Sequence, residues 1–284
     1  MTPGLESLSP RQRELVLQWL PDAVVEEDYS WDLSATTVLR LRQAESELIL
    51  KAGADSDHHI RREIHAHLSW LGPWASRGRA AVLRHFDAEA GLLVTSCLPG
   101  RLVLGTDQVD DPGLFRQAGQ LLALLHAHAT VQDDGYETRE NRRSLAWLSG
   151  PHRIAAEVEK QLRVGIASWS RPAATLVPTH GDWQPRNWLI HEGVVSVIDF
   201  GRSAMRPAMS DLGRLAAQDF GRLPALEEAF LAGYGSDPRE VGAWHRTRVR
   251  QAIGTAAWAH RAGDEAFEAQ GHRMIAEALF DVRR

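Results

Sequence analysis

The chain of 284 residues has one cysteine, Cys97, and two lysines, Lys51 and Lys160. A single thiol excludes an internal disulfide, and a chain this long can bury a sizeable core without one. No apolar run approaches the roughly 20 residues of a bilayer-spanning helix, so no membrane association is expected. The first thirteen residues carry Pro3, Glu6, Arg11 and Arg13 where an export leader needs an unbroken apolar stretch. These absences point to a cytoplasmic protein. Basic excess is also missing: the net charge is -5, with no basic stripe, which argues against a nucleic-acid partner. With 32 basic residues and only two lysines, each lysine is a rare choice. What is present is ordinary for a globular protein, 44% hydrophobic and 24% charged.

Ser9-Pro10-Arg11-Gln12 reads as a capping box with proline at the first helical position, opening a helix over 9–20 that stops at Pro21. Residues 36–42 and 46–52 read as strands joined by a hairpin connection, and 80–86 and 92–97 as a second pair. Between them, Ile60, Ile64, Leu68 and Leu71 recur at helical spacing until Gly72-Pro73. From Leu114 onward the period is helical, apart from a short strand pair near 188–199. The turn signal Pro99-Gly100 separates the two regimes. The expectation is an α+β chain: a strand-rich part with one long helix over 1–98 and a mainly helical part over 99–284. Trp19, Trp70, Trp147 and Trp258 fall in helical patterns and read as core.

The chemistry concentrates in Thr179-His180-Gly181-Asp182-Trp183-Gln184-Pro185-Arg186-Asn187, followed by an apolar strand and Asp199-Phe200-Gly201. An Asp and an Asn five residues apart on a tight loop, with a second Asp twelve residues beyond across a hairpin, can converge on one point. That supplies a candidate base and two oxygen ligands of the kind magnesium prefers. Here the chain resembles the aminoglycoside phosphotransferase and choline kinase family, relatives of the protein kinases, in its H-G-D-x-x-x-x-N and I-D-F-G motifs. The resemblance runs over about residues 25–215. It implies a two-lobed protein-kinase-like fold, with a small β-sheet lobe and a larger helical lobe, that phosphorylates a hydroxyl with ATP or GTP and Mg2+.

Carried over residue by residue, the resemblance makes Asp182 the group that receives or orients the acceptor proton, and Asn187 and Asp199 the metal ligands. His180 organises the loop. Lys51 would reach the nucleotide phosphates and be fixed by Glu63, with Glu47 the alternative partner. Ser96, Cys97 and Leu98 would meet adenine through their backbone. The phosphate-covering loop, 29–37, has no glycine, so hydroxyls such as that of Ser34 would have to serve. The acceptor is expected to be a small molecule. Asp133, Asp134, Glu137, Glu228 and Glu268 favour a cationic antibiotic, an aminoglycoside or a basic cyclic peptide of the viomycin and capreomycin type, and hence antibiotic resistance. A metabolite kinase acting on a choline-like or sugar substrate and a non-catalytic nucleotide-binding pseudokinase remain the alternatives. The oligomeric expectation is a monomer or weak homodimer.

Overall fold

A computed structural model describes residues 4–30, 36–54 and 58–281. These divide into two compact units, each discontinuous along the chain. One comprises 1–128, 180–204 and 228–235; the other comprises 129–179, 205–227 and 236–284. Ser34 lies outside the described residues.

The first unit opens with helix α1 (Pro10–Trp19), whose capping box is formed by Ser9 and Gln12. A five-stranded antiparallel sheet follows: β1 (Val24–Asp28), β2 (Thr37–Gln43), β3 (Ser46–Ala52), β4 (Leu83–Asp87) and β5 (Leu92–Ser96), in the order β1-β2-β3-β5-β4. Between β3 and β4 lie α2 (His58–Ser69) and the single turn α3 (Gly72–Ala75). Side chains alternate across a strand, so the register assigns each residue a face. Leu39 pairs with Leu50, Leu50 with Val94, and Ala52 with Leu92. These residues bury one face of the sheet together with Leu15 and Val16 of α1. Truncating Leu50, which is fully buried, to alanine is expected to cost about 2–5 kcal/mol.

The other face carries Leu93, packed against Ile60 and Ile64 of α2. Lys51 pairs in register with Leu93 and so shares that face. On α2, Ile60, Glu63, Ile64 and His67 follow the i, i+3, i+4, i+7 stripe, which puts Glu63 among the apolar residues that face the sheet. The same unit includes β6 (Arg101–Leu102) and α4 (Pro112–His126).

The second unit starts with β7 (Val131–Asp133), α5 (Tyr136–Leu148), α6 (Ala156–Ser168) and β8 (Ala174–Thr179), with β7 and β8 paired antiparallel. The chain then supplies the first unit with the hairpin β9 (Trp188–His191) and β10 (Val194–Val197). After β11 (Ala204–Arg206) come the short α7 (Gly213–Leu215), a π-helical turn at Ala216–Phe220, α8 (Pro224–Tyr234), which from Glu228 on belongs to the first unit, α9 (Val241–Ala262) and α10 (Glu265–Asp281). Leu148, Leu162 and Ile166 pack with Val249, Ile253 and Ile275 to form the helical core. Helices α9 and α10 approach closely because Gly271 has no side chain: a Cβ there would meet the Ala256 nitrogen at 2.5 Å.

Four features depart from the sequence expectation. Strand β1 was not expected; its residues, Val-Val-Glu-Glu-Asp, form a charged sheet edge, which discourages pairing with other chains. The region after 99 is not helical apart from one strand pair, since β6, β7, β8 and β11 also occur there. The helix expected over 9–20 ends at Trp19. Trp258 is 39% exposed rather than core. Among the described residues no helix is long and apolar enough to cross a membrane.

Candidate active site

The loop after β8 is held by its histidine. His180 is fully buried; its Nδ1 accepts from the Asp182 backbone N–H at 3.2 Å, and its Nε2 lies 3.0 Å from the Ile198 carbonyl. Nδ1 is an acceptor, so the proton sits on Nε2 and donates to Ile198. One ring therefore ties the loop to the strand that leads into Asp199. Gly181 takes φ +82, a conformation that costs other residues steric energy. Beneath the loop, Trp183 and Trp188 are buried with ring centroids 5.7 Å apart, and Trp183 also touches His180 and Trp74. Phe200 completes this bed against His180 at 4.8 Å.

Asp182, 1% exposed, accepts from Gln184 Nε2 on Oδ1 and from Arg186 Nη2 on Oδ2, both at 2.5 Å. Asn187 donates through Nδ2 to the Asp182 carbonyl at 2.8 Å, which turns its Oδ1, the atom a hard cation takes, away from that bond. The Ile198 N–H donates to the Asn187 carbonyl, so Asp199 follows directly on the loop. Asp199 has φ +65, a left-handed conformation that aspartate tolerates better than most residues and that occurs at functional sites.

Lys51 Nζ lies 2.9 Å from both carboxylate oxygens of Glu63 and 3.4 Å from Asp199 Oδ1. Glu47, the other candidate partner, pairs instead with Arg40 at 2.7 Å. Burial acts on Lys51 to pull its pKa down, but the charges of Glu63 and Asp199 outweigh it and leave the ammonium held above the usual lysine range. Lys51 lowers the Asp199 carboxyl in turn, against burial. The Asp199 side chain is still 48% exposed, so water screens the pair and one end of the network stays open. Helix α2 also touches the metal motif elsewhere. His59 Nδ1 is 3.0 Å from the Gly201 carbonyl, and His67 contacts Phe200 edge-on. Burial, aided by the Lys51 charge, lowers His67 to about 4, so it is neutral at physiological pH.

At the strand end, Ser96 N–H donates to Val82 and Cys97 N–H to Glu47, both at 2.9 Å. The sheet thus already uses two of the three nitrogens considered for adenine.

The carboxylates considered for the acceptor are arranged differently. Glu137 is 4% exposed and receives Arg246 Nε at 3.0 Å and Arg250 Nη2 at 2.5 Å. Glu268 is 5% exposed, with Arg153, His260 and His272 within 3.3–3.7 Å. Asp133 pairs with Arg139 at 2.5 Å, while Asp134 and Glu228 are exposed. None of the five lines the cavity of about 270 Å³ in the helical unit, which is bounded by Phe220, Glu227, Trp244, Met274 and Glu277. Sequence reasoning missed Gln184 and Arg186, although both sit inside the motif it singled out. It also missed Trp183 and Trp188, whose flanking positions in that motif were the available signal.

A lysine on the third strand fixed by a helix glutamate, with an Asp-Asn loop ahead of a second aspartate, defines a protein-kinase-like fold with the machinery of a phosphotransferase. The model of the phosphotransferase enzyme family matches residues 27–277, and the chain belongs to that family. Choline kinase LicA from Streptococcus pneumoniae is similar in structure, with TM-score 0.67 at 16% identity over 95% of this chain and 97% of that one. Macrolide 2'-phosphotransferase MphH from Brachybacterium faecium gives 0.61 at 17% identity, covering 92% and 96%. A thermostable variant of aminoglycoside phosphotransferase APH(4)-Ia, in ternary complex with ADP and hygromycin B, gives 0.64 at 8% identity, covering 95% and 98%. Likeness at such identities speaks for the fold. No curated protein sequence matches the chain.

Proposed function

We propose that the chain transfers the terminal phosphoryl group of ATP or GTP to a hydroxyl of a small molecule. The observation that carries this is the joint arrangement of Lys51, Glu63 and Asp199 beside the Asp182–Asn187 loop. Phosphoryl transfer has a loose transition state, so positioning and charge neutralisation do most of the catalysis. Lys51, kept charged by its two carboxylates, faces the phosphates; Asp182 aligns the acceptor hydroxyl and takes its proton. Asp199 and the Asn187 amide oxygen suit magnesium, which needs only one or two protein oxygens alongside phosphate and water. The ion supplies charge neutralisation on the phosphates when bound. With Ser96 and Cys97 nitrogens engaged in the sheet, adenine would meet the Leu98 N–H and the carbonyls of this segment.

For the acceptor, a compact hydroxylated metabolite of choline-like or sugar type is the better reading than a polycationic antibiotic. Asp133 and Glu137 are already paired with arginine, and Glu268 is buried with Arg153 at 3.6 Å, which leaves the exposed Asp134 and Glu228 to attract a cation. The test is an ADP-release screen with ATP and GTP over choline, sugars, aminoglycosides, macrolides and basic cyclic peptides, paired with expression in a susceptible bacterium. Turnover with a metabolite and no gain of resistance is the expected result. Resistance with phosphorylation of a cationic drug restores the antibiotic reading, and absence of nucleotide binding removes both.

A further inference from the structure

Gln12 of α1 commits its whole amide to backbone. It is 6% exposed; Nε2 donates to the Gly53 carbonyl at 2.9 Å and to the Ala90 carbonyl at 2.7 Å, and Oε1 accepts from the Ser9 N–H at 2.9 Å. Buried polar groups are rarely left unpaired, and here one side chain satisfies carbonyls from two separate connections. Gly53 is the residue after β3, two past Lys51, and Ala90 lies between β4 and β5. The Gly53 N–H donates in turn to the Gly91 carbonyl at 2.9 Å. Gly91 has φ +62, and a Cβ on it would meet the Gly53 carbonyl oxygen at 3.1 Å, so a glycine permits this approach. The place matters for the site. Lys51 is held in register between Val38 and Leu93, and the ladder ends one residue later, at Ala52. Helix α2 starts at His58, and its Glu63 returns to within 2.9 Å of Lys51. Gln12 therefore fixes the chain where the sheet ceases to hold it and where the path to Glu63 begins. The apolar residues of α1, Leu15 and Val16, pack instead on the sheet face opposite Lys51.

We propose that Gln12 is a positioning residue for the Lys51–Glu63 pair, acting through the backbone of residues 53 and 90. It sets where the chain leaves β3, and so the distance from which Glu63 orients the lysine. This rests on the proposed function, which takes Lys51 to meet the nucleotide phosphates. Helix α1 lies ahead of residues 27–277, the part that the family model matches, so a segment outside that part tunes the lysine inside it.

The test is calorimetric binding of Mg–AMP-PNP and of adenosine to the full chain as wild type, Gln12→Met and Leu15→Ala, with a urea midpoint for each. Gln12→Met keeps the reach of the side chain and removes both donors, whereas Leu15→Ala removes apolar packing of the same helix and no hydrogen bond. Both should lower the midpoint. The positioning reading expects the preference for Mg–AMP-PNP over adenosine to fall about threefold or more in Gln12→Met, the size that one hydrogen bond's net worth implies, and to move less than about twofold in Leu15→Ala. Gln12→Asn holds its amide one methylene short of the two carbonyls; it should lose part of the preference, and it decides the matter if Gln12→Met does not fold. An unchanged preference in the folded Gln12 variants overturns the proposal, as does an equal fall in Leu15→Ala, which marks α1 as a general support. In either case a wild type that prefers Mg–AMP-PNP leaves the proposed function standing. A wild-type chain without that preference removes the function reading and this one with it.

Discussion

Two ion networks, one around the Asp182 loop and one between α5 and α9, treat charge differently. Around the Asp182 loop, two ion pairs have one end in water, Asp199 being 48% exposed opposite Lys51 and Arg186 41% exposed opposite Asp182, while the Lys51–Glu63 pair behind them is largely buried at both ends. In the helical unit, Glu137, Arg246 and Arg250 have side chains only 5–10% exposed, and Arg250 also stacks over Trp169 at 5.4 Å. Closed networks hold helices together, because every member is committed and losing one strands the others. Open networks can exchange a partner for a ligand. Abundance of acidic residues therefore says little about an acceptor site until their partners are known.

The largest expected effect breaks the closed network. Glu137→Ala leaves Arg246 and Arg250 buried without their carboxylate and should lower the unfolding free energy by about 3–5 kcal/mol, read as a shifted urea midpoint. An unchanged midpoint with a raised KM for a cationic acceptor would reverse the contrast between the networks. At the open network, Asp182→Ala should lower kcat about a hundredfold or more while nucleotide affinity survives. Near wild-type kcat in that variant would falsify its role as the base.

A smaller effect concerns His67, whose folded pKa of about 4 lies below the ordinary histidine value of 6.5. The unfolded chain then binds the proton first, so this contribution to stability is full above pH 6.5 and is lost as pH falls through about 4. Its size should be about 2 kcal/mol or less, and His67→Leu should flatten that part of the urea stability profile between pH 6.5 and 4. The smallest effect is that of Asp133→Asn, which removes a solvent-exposed pair with Arg139 and should leave both kcat and the urea midpoint where they were.

Where the sequence was readable, a local rule was strong enough to act alone. The capping box at Ser9, the strand at 46–52, Ile60 and Ile64 on α2 and the spacing of Asp182, Asn187 and Asp199 are all short-range patterns, whereas Leu68, read as part of the same stripe, is 60% exposed. Strands β7 and β8 escaped such reading because β7 has three residues, too few to alternate, and its partner lies about forty positions away. Their pairing is decided by contacts that no local window contains. Trp258 follows a helical period yet faces outward, since a helix pattern fixes spacing and packing decides which side is covered.

The sequence by itself determined the kinase-like class, the identities of Asp182, Asn187, Asp199 and Lys51 as candidates, and the elements that carry them, because those depend on residue type and spacing. Only the tertiary structure decided which carboxylate Lys51 takes, since Glu47 and Glu63 are both near it in sequence while only the face of α2 packed on Leu93 brings Glu63 within 2.9 Å. It likewise decided that Glu137 is closed, that Glu268 is buried and that Arg186 donates to Asp182. Charge in a sequence is a count, whereas its availability is set by burial and by the nearest opposite charge, and both come from contacts between residues far apart in the chain.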